Sequence, residues 1–391
     1  MKENTKKRAA ARREEPSSQK AAPKGGKIDL VFLTYVLILM IFGLVVLFSA
    51  SYAYAYYYDG NSFHYIIRQA AFAVAGVGVM LFVGNVITPA FIRKWWLFLY
   101  LAVLVMLGMV FLFDPVNEAH RWIFIGPVSF QPSEIAKFTV ILCFAHFLDK
   151  YYGKKIGFLR KMSPYIVILV SICGLVVIEP HISATLLLVC IAGIMLLIGD
   201  NDKRIWISLL VVMVIGVTAF VAIPALRERA MSRIGPWLSS QATLDVDLMA
   251  YQTKQSLYAI ASGGLFGVGL GNSRQKHLYL PEPQNDFIFA ILCEELGIIG
   301  AVVVIILFVL LISRGIRIAM RAKDRFSSFL ALGVCAQVAV QTLLNIAVVT
   351  NFIPNTGIAL PFFSYGGTQL MILLAEMGVV LAVSKSARLE K

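Results

Sequence analysis

The sequence predicts an all-α, polytopic membrane fold with about ten spanning helices, and three observations predict it. Hydrophobic residues make up 59% of the 391 residues and charged residues only 15%, with a mean hydropathy of +0.79, more than the core of a soluble domain of this size needs. Apolar runs of about 20 residues, the length that crosses a hydrocarbon core of about 30 Å, recur along the chain. They are too long and too evenly apolar for the alternating strands of a barrel, so each must satisfy its own backbone as a helix. Third, the basic residues fall in every second connection.

Taken in order, the runs predict spans at 29–50, 66–87, 95–113, 132–149, 164–180, 183–199, 205–224, 287–313, 326–348 and 360–383. Residues 1–27 carry nine Lys/Arg against three Glu. Arg93 and Lys94 follow the second run, Lys150, Lys154, Lys155, Arg160 and Lys161 the fourth, and Lys203 and Arg204 the sixth. Arg314, Arg317, Arg321, Lys323 and Arg325 follow the eighth, and Lys385, Arg388 and Lys391 end the chain. The net charge of +13 is therefore a positive-inside signal, not a nucleic-acid footprint, and it expects both termini in the cytoplasm. The expected organisation is a disordered basic tail over 1–27, a ten-helix membrane domain over 28–384, and a short cytoplasmic tail over 385–391. The first span is too long for the apolar region of a cleaved signal peptide, so it should serve as an uncleaved one. Five cysteines, Cys143, Cys173, Cys190, Cys293 and Cys335, all fall inside apolar runs, which suggests neither a disulfide framework nor a zinc site.

One outer connection, residues 225–286, is about 60 residues long, and loops of that length are usually functional. It opens with ALRERAMSRIGPW, and the polar and apolar positions of 250–262 suit a short interfacial helix, or an ordered loop without a role of its own. The run Gly263, Gly264, Gly267, Gly269, Gly271 lacks the strand, the following helix and the Gly-Lys-Ser/Thr ending of a nucleotide loop. Its expected use is backbone that turns tightly and lets a lipid or sugar come close.

Charged residues inside the runs are the sharper signal. In DPVNEAHRWIFIGPVSFQPSEIAKF, Pro132 suits a first helical turn, Glu134 suits its positive end, and Lys137 lies on the same face as Glu134. An ionisable side chain in the membrane costs about 2.5–3.5 kcal/mol, which favours function, the plainer alternative being an ion pair between helices. Glu295 and Glu376 read better as polar contacts between helices. Asp286 differs, because it ends the long outer loop at the water–lipid boundary, where a group acting on a lipid headgroup has to be.

Three blocks carry a resemblance: HRWIFIGPVSFQPSEIAKF at 120–138, YQTKQSLYAIASGGLFGVGLGNSRQKHLYLPEPQNDFIFAILCEELGIIG at 251–300, and VVTNFIPNTGIALPFFSYGGTQL at 348–370. In these the chain resembles the SEDS family (shape, elongation, division and sporulation), the FtsW/RodA/SpoVE group of bacterial membrane glycosyltransferases. The resemblance covers nearly all of 29–384, and LPEPQ with the preceding QK is most similar to the division and sporulation branches. It implies ten spans, a large extracellular loop between spans 7 and 8, polymerisation of lipid II, and work beside a class B penicillin-binding protein in the divisome or related cell-wall machinery. The family's essential acid falls on Asp286, the arginine of its His-Arg-Trp stretch on Arg121, and the lysine of its Gln-Pro-Ser-Glu block on Lys137. Departures are Asn285 for Thr, Glu179-Pro180-His181-Ile182-Ser183-Ala184 for Gln-Pro-Asp-x-Gly-Thr, and Asn351, Asn355 and Thr368 for Gly, Val and Ser.

An α-linked donor and a β-1,4 product require inversion in one displacement, hence a base near the acceptor hydroxyl and positive charge near the leaving pyrophosphate. A second, proton-donating carboxylate is not needed, because pyrophosphate leaves as an anion. Asp286 is the candidate base. Arg121 and Lys137 are candidate pyrophosphate or headgroup binders, with Glu134 orienting Lys137. Gln131, Ser133, Gln252, Gln255, Lys276, Glu282 and Ser364 are further candidate contacts. No ligand cluster marks a dedicated metal site, although Mg2+ or Mn2+ could share the leaving-group charge. Two rival readings remain at this stage: a lipid flippase, whose intramembrane charges would line a headgroup path, and a non-catalytic scaffold for the transpeptidase.

Overall fold

The computed structural model describes residues 26–115, 120–126, 128–179, 181–199, 202, 204, 218, 224–243 and 250–387. Residues 1–25 of the expected 1–27 tail, residues 388–391 of the C-terminal tail and most of the expected seventh span lie outside these residues. The described helices are α1 (Leu30–Asp59), α2 (His64–Val86), α3 (Pro89–Lys94), α4 (Trp96–Met109, continued by a 3-10 turn to Leu112), α5 (Pro132–Tyr151), α6 (Phe158–Ile178), α7 (Ile182–Gly199), α8 (Pro224–Thr243), α9 (Tyr251–Gly263), α10 (Ile288–Met320), α11 (Arg325–Val349) and α12 (Gly367–Ser384). Seven of them, α1, α2, α6, α7, α10, α11 and α12, are long and apolar enough to cross a membrane. The third expected span is a shorter apolar helix, Trp96–Leu112. The fourth is α5, which begins at Pro132 with Glu134 in its first turn, as its sequence requires. The chain is therefore a multi-pass α-helical membrane protein.

Several boundaries differ from the hydropathy reading, for local reasons. Helix α1 continues past residue 50 to Asp59, because its Ala- and Tyr-rich end keeps its backbone bonds after hydropathy falls; Gly60, at φ 66°, ends it by donating to the Tyr56 carbonyl. Helix α6 starts at Phe158 and tolerates Pro164. The carbonyl that Pro164 cannot reach, Arg160 O, accepts the Ser163 hydroxyl at 3.2 Å. The last helix begins at Gly367, not near 360, since the preceding segment is non-helical and carries Phe362 at φ 66°. A short antiparallel hairpin, β1 (Ile123–Ile125) and β2 (Val128–Phe130), pairs Ile123 with Phe130 and adds a feature the helical pattern did not predict.

Caps and ion pairs fix the ends of the bundle. Asp29 caps α1 by accepting Phe32 N at 2.8 Å. Its carboxylate also takes two bonds from Arg314 near the end of α10, Nε at 3.0 Å and Nη2 at 2.7 Å, while its N–H reaches Ser384 Oγ at 3.0 Å. Lys385 Nζ donates to Asn85 O at the end of α2, and Arg93 pairs with Asp149 at 2.7 Å. The basic connections around Arg93, Lys150, Arg314 and Lys385 thus gather at one end of the bundle, and Asp286, before the start of α10, lies at the other.

Helices α2 and α12 come close because small residues line their seam. A Cβ on Gly378 would meet Met80 O at 2.6 Å, and one on Gly84 would meet the Leu381 side chain at 3.0 Å. Gly378→Leu is expected to cost about 1–3 kcal/mol, read as a lower Tm of the purified protein. Gly108→Leu, at a glycine with nothing within 4 Å of its Cβ position, should leave Tm unchanged.

Candidate active site

Two cavities meet at the end of the bundle away from the basic cluster. The larger, about 480 Å³, is lined by Arg68, Arg121, Gln131, Glu134, Lys137, His181, Glu282, Asn285, Asp286, Gln341 and Tyr365 among others. The smaller, about 310 Å³, is lined by Arg121, Arg233, Trp237, Gln252, Asp286, Asn351, Asn355 and Gly357 among others. Arg121, Asp286 and Gly357 belong to both walls.

Asp286 is held by its own backbone and by its neighbours. Asn345, buried in α11, donates Nδ2 to Asp286 O at 2.8 Å and to Ile358 O at 2.6 Å, pinning the start of α10 to the segment 357–366. Gly357, at φ 69°, lets the carboxylate in: a Cβ there would sit 3.1 Å from Asp286 Oδ2. Packing around the carboxyl, helped by the negative charge of Glu282, raises Asp286 to about 6 against the opposite pull of Arg233 and Arg121. Asn285, which replaces the family's Thr, keeps a polar role by donating to Glu282 Oε2 at 2.8 Å.

The wall opposite is cationic. Lys137 is 3% exposed, pairs with Glu134 Oε2 at 2.8 Å, and donates to Gln341 Oε1 at 3.3 Å. Gln341 in turn holds Ala359 O at 3.0 Å. The Arg121 charge acts on Asp286, Glu179 and His181 together, which places it at the centre of the site. Glu179 is buried, and neither carboxylate oxygen has a hydrogen-bond partner among the described residues. His181 stands where the family usually has Asp. Desolvation and the cations Arg121, Lys137 and Arg233 lower it to about 3, so its ring is neutral; its Nδ1 lies 3.4 Å from both Gln131 Nε2 and Ser133 Oγ and acts as an acceptor toward the amide. Among the described residues no group of three or more His, Cys, Asp or Glu is placed to hold a metal ion, and the cavity's positive charge comes from Arg68, Arg121 and Lys137.

Of the residues singled out in the sequence, Arg121, Gln131, Glu134, Lys137, Glu282 and Asp286 share the larger cavity, and Gln252 lines the smaller. Ser133 is buried behind Gln131 and reaches the cavity only through His181. Gln255 lines neither cavity. Ser364 is also absent from both linings; its hydroxyl bridges Asn285 O at 2.7 Å and Leu360 N at 2.8 Å, which ties the 357–366 segment to the Asp286 turn. Lys276 is buried among Glu295 Oε1 at 3.0 Å, Ser49 Oγ at 3.1 Å and Gly271 O at 2.6 Å, away from both cavities.

The glycine run has a different use from the one expected. Helix α10 breaks at Gly297, at φ 66°, and the loop packs into the break: Val268 N and Gly269 N donate to the carbonyls of Glu294 and Glu295 at 2.9 and 3.0 Å, and Ile298 N donates to Gly264 O at 3.0 Å. A Cβ on Gly267 would lie 2.2 Å from Glu295 O. The close approach at Gly263 and Gly267 is of backbone to backbone. The Glu294 and Glu295 carboxylates complete the joint, accepting from Ser273 Oγ, from Arg274 N at 2.9 Å and from Ser49 Oγ at 2.6 Å.

Sequence reasoning missed Arg68, Arg233 and the Asn345–Gln341 pair. Arg233 was visible in the polar opening of the long loop, and it reaches Asn355 O and Thr356 O at 3.4 Å; only packing shows that α8 lies over the site. Asn345 and Gln341 are single polar residues in an apolar run, a signal shared with ordinary helix contacts.

The family described as cell cycle protein, comprising FtsW, RodA and SpoVE, matches residues 29–389. Stage V sporulation protein E of Bacillus subtilis is 38% identical, covering 92% of this chain and 98% of its own length. A probable peptidoglycan glycosyltransferase FtsW of a Geobacter species is 35% identical, over 92% of this chain and 97% of its own. A solved structure from a study of polymerization and crosslinking by a peptidoglycan synthase complex superposes with a TM-score of 0.73 at 22% identity, over 91% of this chain and 97% of the other. The match in sequence over nearly the whole length and the shared helical architecture lead to one assignment: the chain belongs to the FtsW/RodA/SpoVE family of cell cycle proteins.

Proposed function

We propose that this protein is a peptidoglycan glycosyltransferase that polymerises lipid II at the outer face of the cytoplasmic membrane, with Asp286 as general base. The observation that carries the reading is that one carboxylate and one guanidinium, Asp286 and Arg121, stand in the common wall of two cavities. A transfer between two bound substrates needs that arrangement. The basic connections gather at the end of the bundle away from Asp286, so the positive-inside rule puts them and both termini in the cytoplasm and Asp286 outside.

In the reaction, the Asp286 carboxylate takes the proton from the 4-hydroxyl of the acceptor sugar while that oxygen attacks C1 of the donor. The C1–O bond to pyrophosphate breaks with inversion, and undecaprenyl pyrophosphate leaves as an anion. Arg121, Lys137 and Arg68 supply fixed positive charge on that side, in a site partly shielded from water, where such charge is worth most. Glu134 holds Lys137, and Arg121 acts electrostatically on both Glu179 and Asp286. A transferase that only lengthens strands needs a crosslinking partner, and a class B penicillin-binding protein fits that role; the structure this chain resembles comes from a study of polymerization and crosslinking by a peptidoglycan synthase complex. A role in division or sporulation follows from its similarity to FtsW and stage V sporulation protein E.

Purified protein given lipid II should form glycan strands, and Asp286→Ala and Asp286→Asn should each lower the rate by about 10²–10⁴-fold. Strands made at near wild-type rate by both folded variants would exclude the role, and translocation of a fluorescent precursor in liposomes without polymerisation would favour a flippase. The base works deprotonated, so the rate should rise with pH through about 6, the value to which Asp286 is raised. Because Glu282 contributes to that rise, Glu282→Gln should move the acid limb of the pH–rate profile to lower pH.

A further inference from the structure

The end of α1 reads Ser-Tyr-Ala-Tyr-Ala-Tyr-Tyr-Tyr-Asp over 51–59, and its length gives those tyrosines an unusual position. A 30-residue helix is about 45 Å long at 1.5 Å per residue, whereas the hydrocarbon core is about 30 Å thick. The last turns of α1 therefore project beyond the lipid on the side of Asp286. Tyr56, Tyr57 and Tyr58 are 68%, 68% and 63% exposed there.

From this exposed end a continuous path of rings leads inward. Tyr57 meets Tyr58 at 5.0 Å between centroids, Tyr58 meets Tyr54 at 4.5 Å, Tyr54 meets Tyr65 of α2 at 6.1 Å, and Tyr65 stands edge-on to Tyr365 at 4.8 Å. Tyr365 lines the larger cavity beside Glu282, and Glu282 interacts electrostatically with both Tyr54 and Tyr65. Tyrosines at a membrane interface commonly form a belt facing the headgroups. A belt accounts for Tyr56, but not for a file of rings that turns inward to the cavity.

The cavity wall carries the cations Arg68, Arg121 and Lys137 and the acids Glu134, Glu282 and Asp286. The charged groups beside the ladder are Asp59, with His64 Nδ1 at 3.9 Å from it, and Glu282. The charges acting on Tyr54 and Tyr65 come from Asp59, Glu282 and other tyrosines, so the ladder offers a pyrophosphate no charge partner of its own. The sugar backbone of the strand is uncharged, and its pyranose rings offer flat C–H faces edged by hydroxyls, which suit a flat ring carrying one phenolic hydroxyl.

We propose that Tyr57, Tyr58, Tyr54, Tyr65 and Tyr365 form a binding track for a strand of N-acetylated hexosamines, leading between the reaction cavity and the outer surface. The inference rests on the transferase reading above and adds to it the path the polymer takes.

The test uses the full chain in nanodiscs and chitohexaose, a soluble uncharged N-acetylhexosamine oligomer, as the probe, with binding measured by calorimetry and product length measured from lipid II. Wild-type protein should bind the probe. Tyr58→Ala and Tyr54→Ala should each weaken binding about five- to tenfold and shorten the strands, whereas Tyr58→Phe, which keeps the stacking face, should bind within about twofold of wild type. Tyr58 is exposed, so Tyr58→Ala decides the matter if Tyr54→Ala does not fold. No binding by wild type, or equal binding by Tyr58→Ala, would overturn the track, and so would a Tyr58→Ala defect confined to membrane insertion. Asp286→Asn separates the two readings: a catalytically dead protein that still binds the probe through the tyrosines keeps the track, whereas wild-type protein that binds the probe but makes no polymer refutes the transferase alone.

Discussion

The site depends on a stretch of backbone that leaves the helical pattern inside a membrane protein. Between α11 and α12 the chain runs non-helically through residues 357–366, and exposed polar backbone in lipid would cost several kcal/mol per group. Side chains from two helices and the Asp286 turn take up those groups. Asn345 and Gln341 of α11 hold the carbonyls of Ile358 and Ala359, Gln69 of α2 bonds Ser364 O and Gly366 N at 3.3 and 3.1 Å, and Tyr365 N reaches Gln284 O at 2.9 Å. Gly43 of α1 leaves room for the Phe362 carbonyl, which a Cβ would meet at 2.2 Å. Because Asn345 and Ser364 bind the backbone of Asp286 and Asn285 in the same network, satisfying this segment also positions the acid.

Electrostatics then divides the cavity. A lysine as buried as Lys137 is tolerable only with a partner, and Glu134 provides one from the same helix face while leaving the ammonium directed among cavity-lining groups. Around Asp286 the balance is reversed: packing and Glu282 favour the protonated acid, and Arg121 and Arg233 favour the carboxylate. The result is a group held near the middle of its useful range, as a base acting close to neutral pH has to be. His181, neutral among cations, adds a polar edge without adding charge.

The glycine-rich loop does the mechanical part of this arrangement. Helix α10 opens at Gly297, and the loop from Gly263 to Gly271 enters the opening and takes the freed carbonyls of Glu294 and Glu295. The buried carboxylates of those two residues fasten the following loop, 273–276, through Ser273, Arg274 and Lys276. The segment leading on to Asp286 is thereby anchored at its base, and Lys276 is consumed in the anchor.

Sequence by itself determined the bundle, since a helix that crosses a membrane announces itself by length and apolarity, and the alternation of basic connections orders its ends. It also determined which acid, arginine and lysine to watch, because charges are costly at such positions, and three long motif blocks carried them. Tertiary structure alone decided the rest. That the glycines serve a broken helix, that Ser364 and Lys276 hold backbone instead of lining a cavity, and that α8 brings Arg233 over the site are contacts between residues far apart in the chain. The same holds for the file of tyrosines from Tyr57 to Tyr365, which joins α1, α2 and the segment before α12. Hydropathy and local pattern report how one segment meets its solvent; which face of it meets another segment is set by packing, and packing is where these roles were assigned.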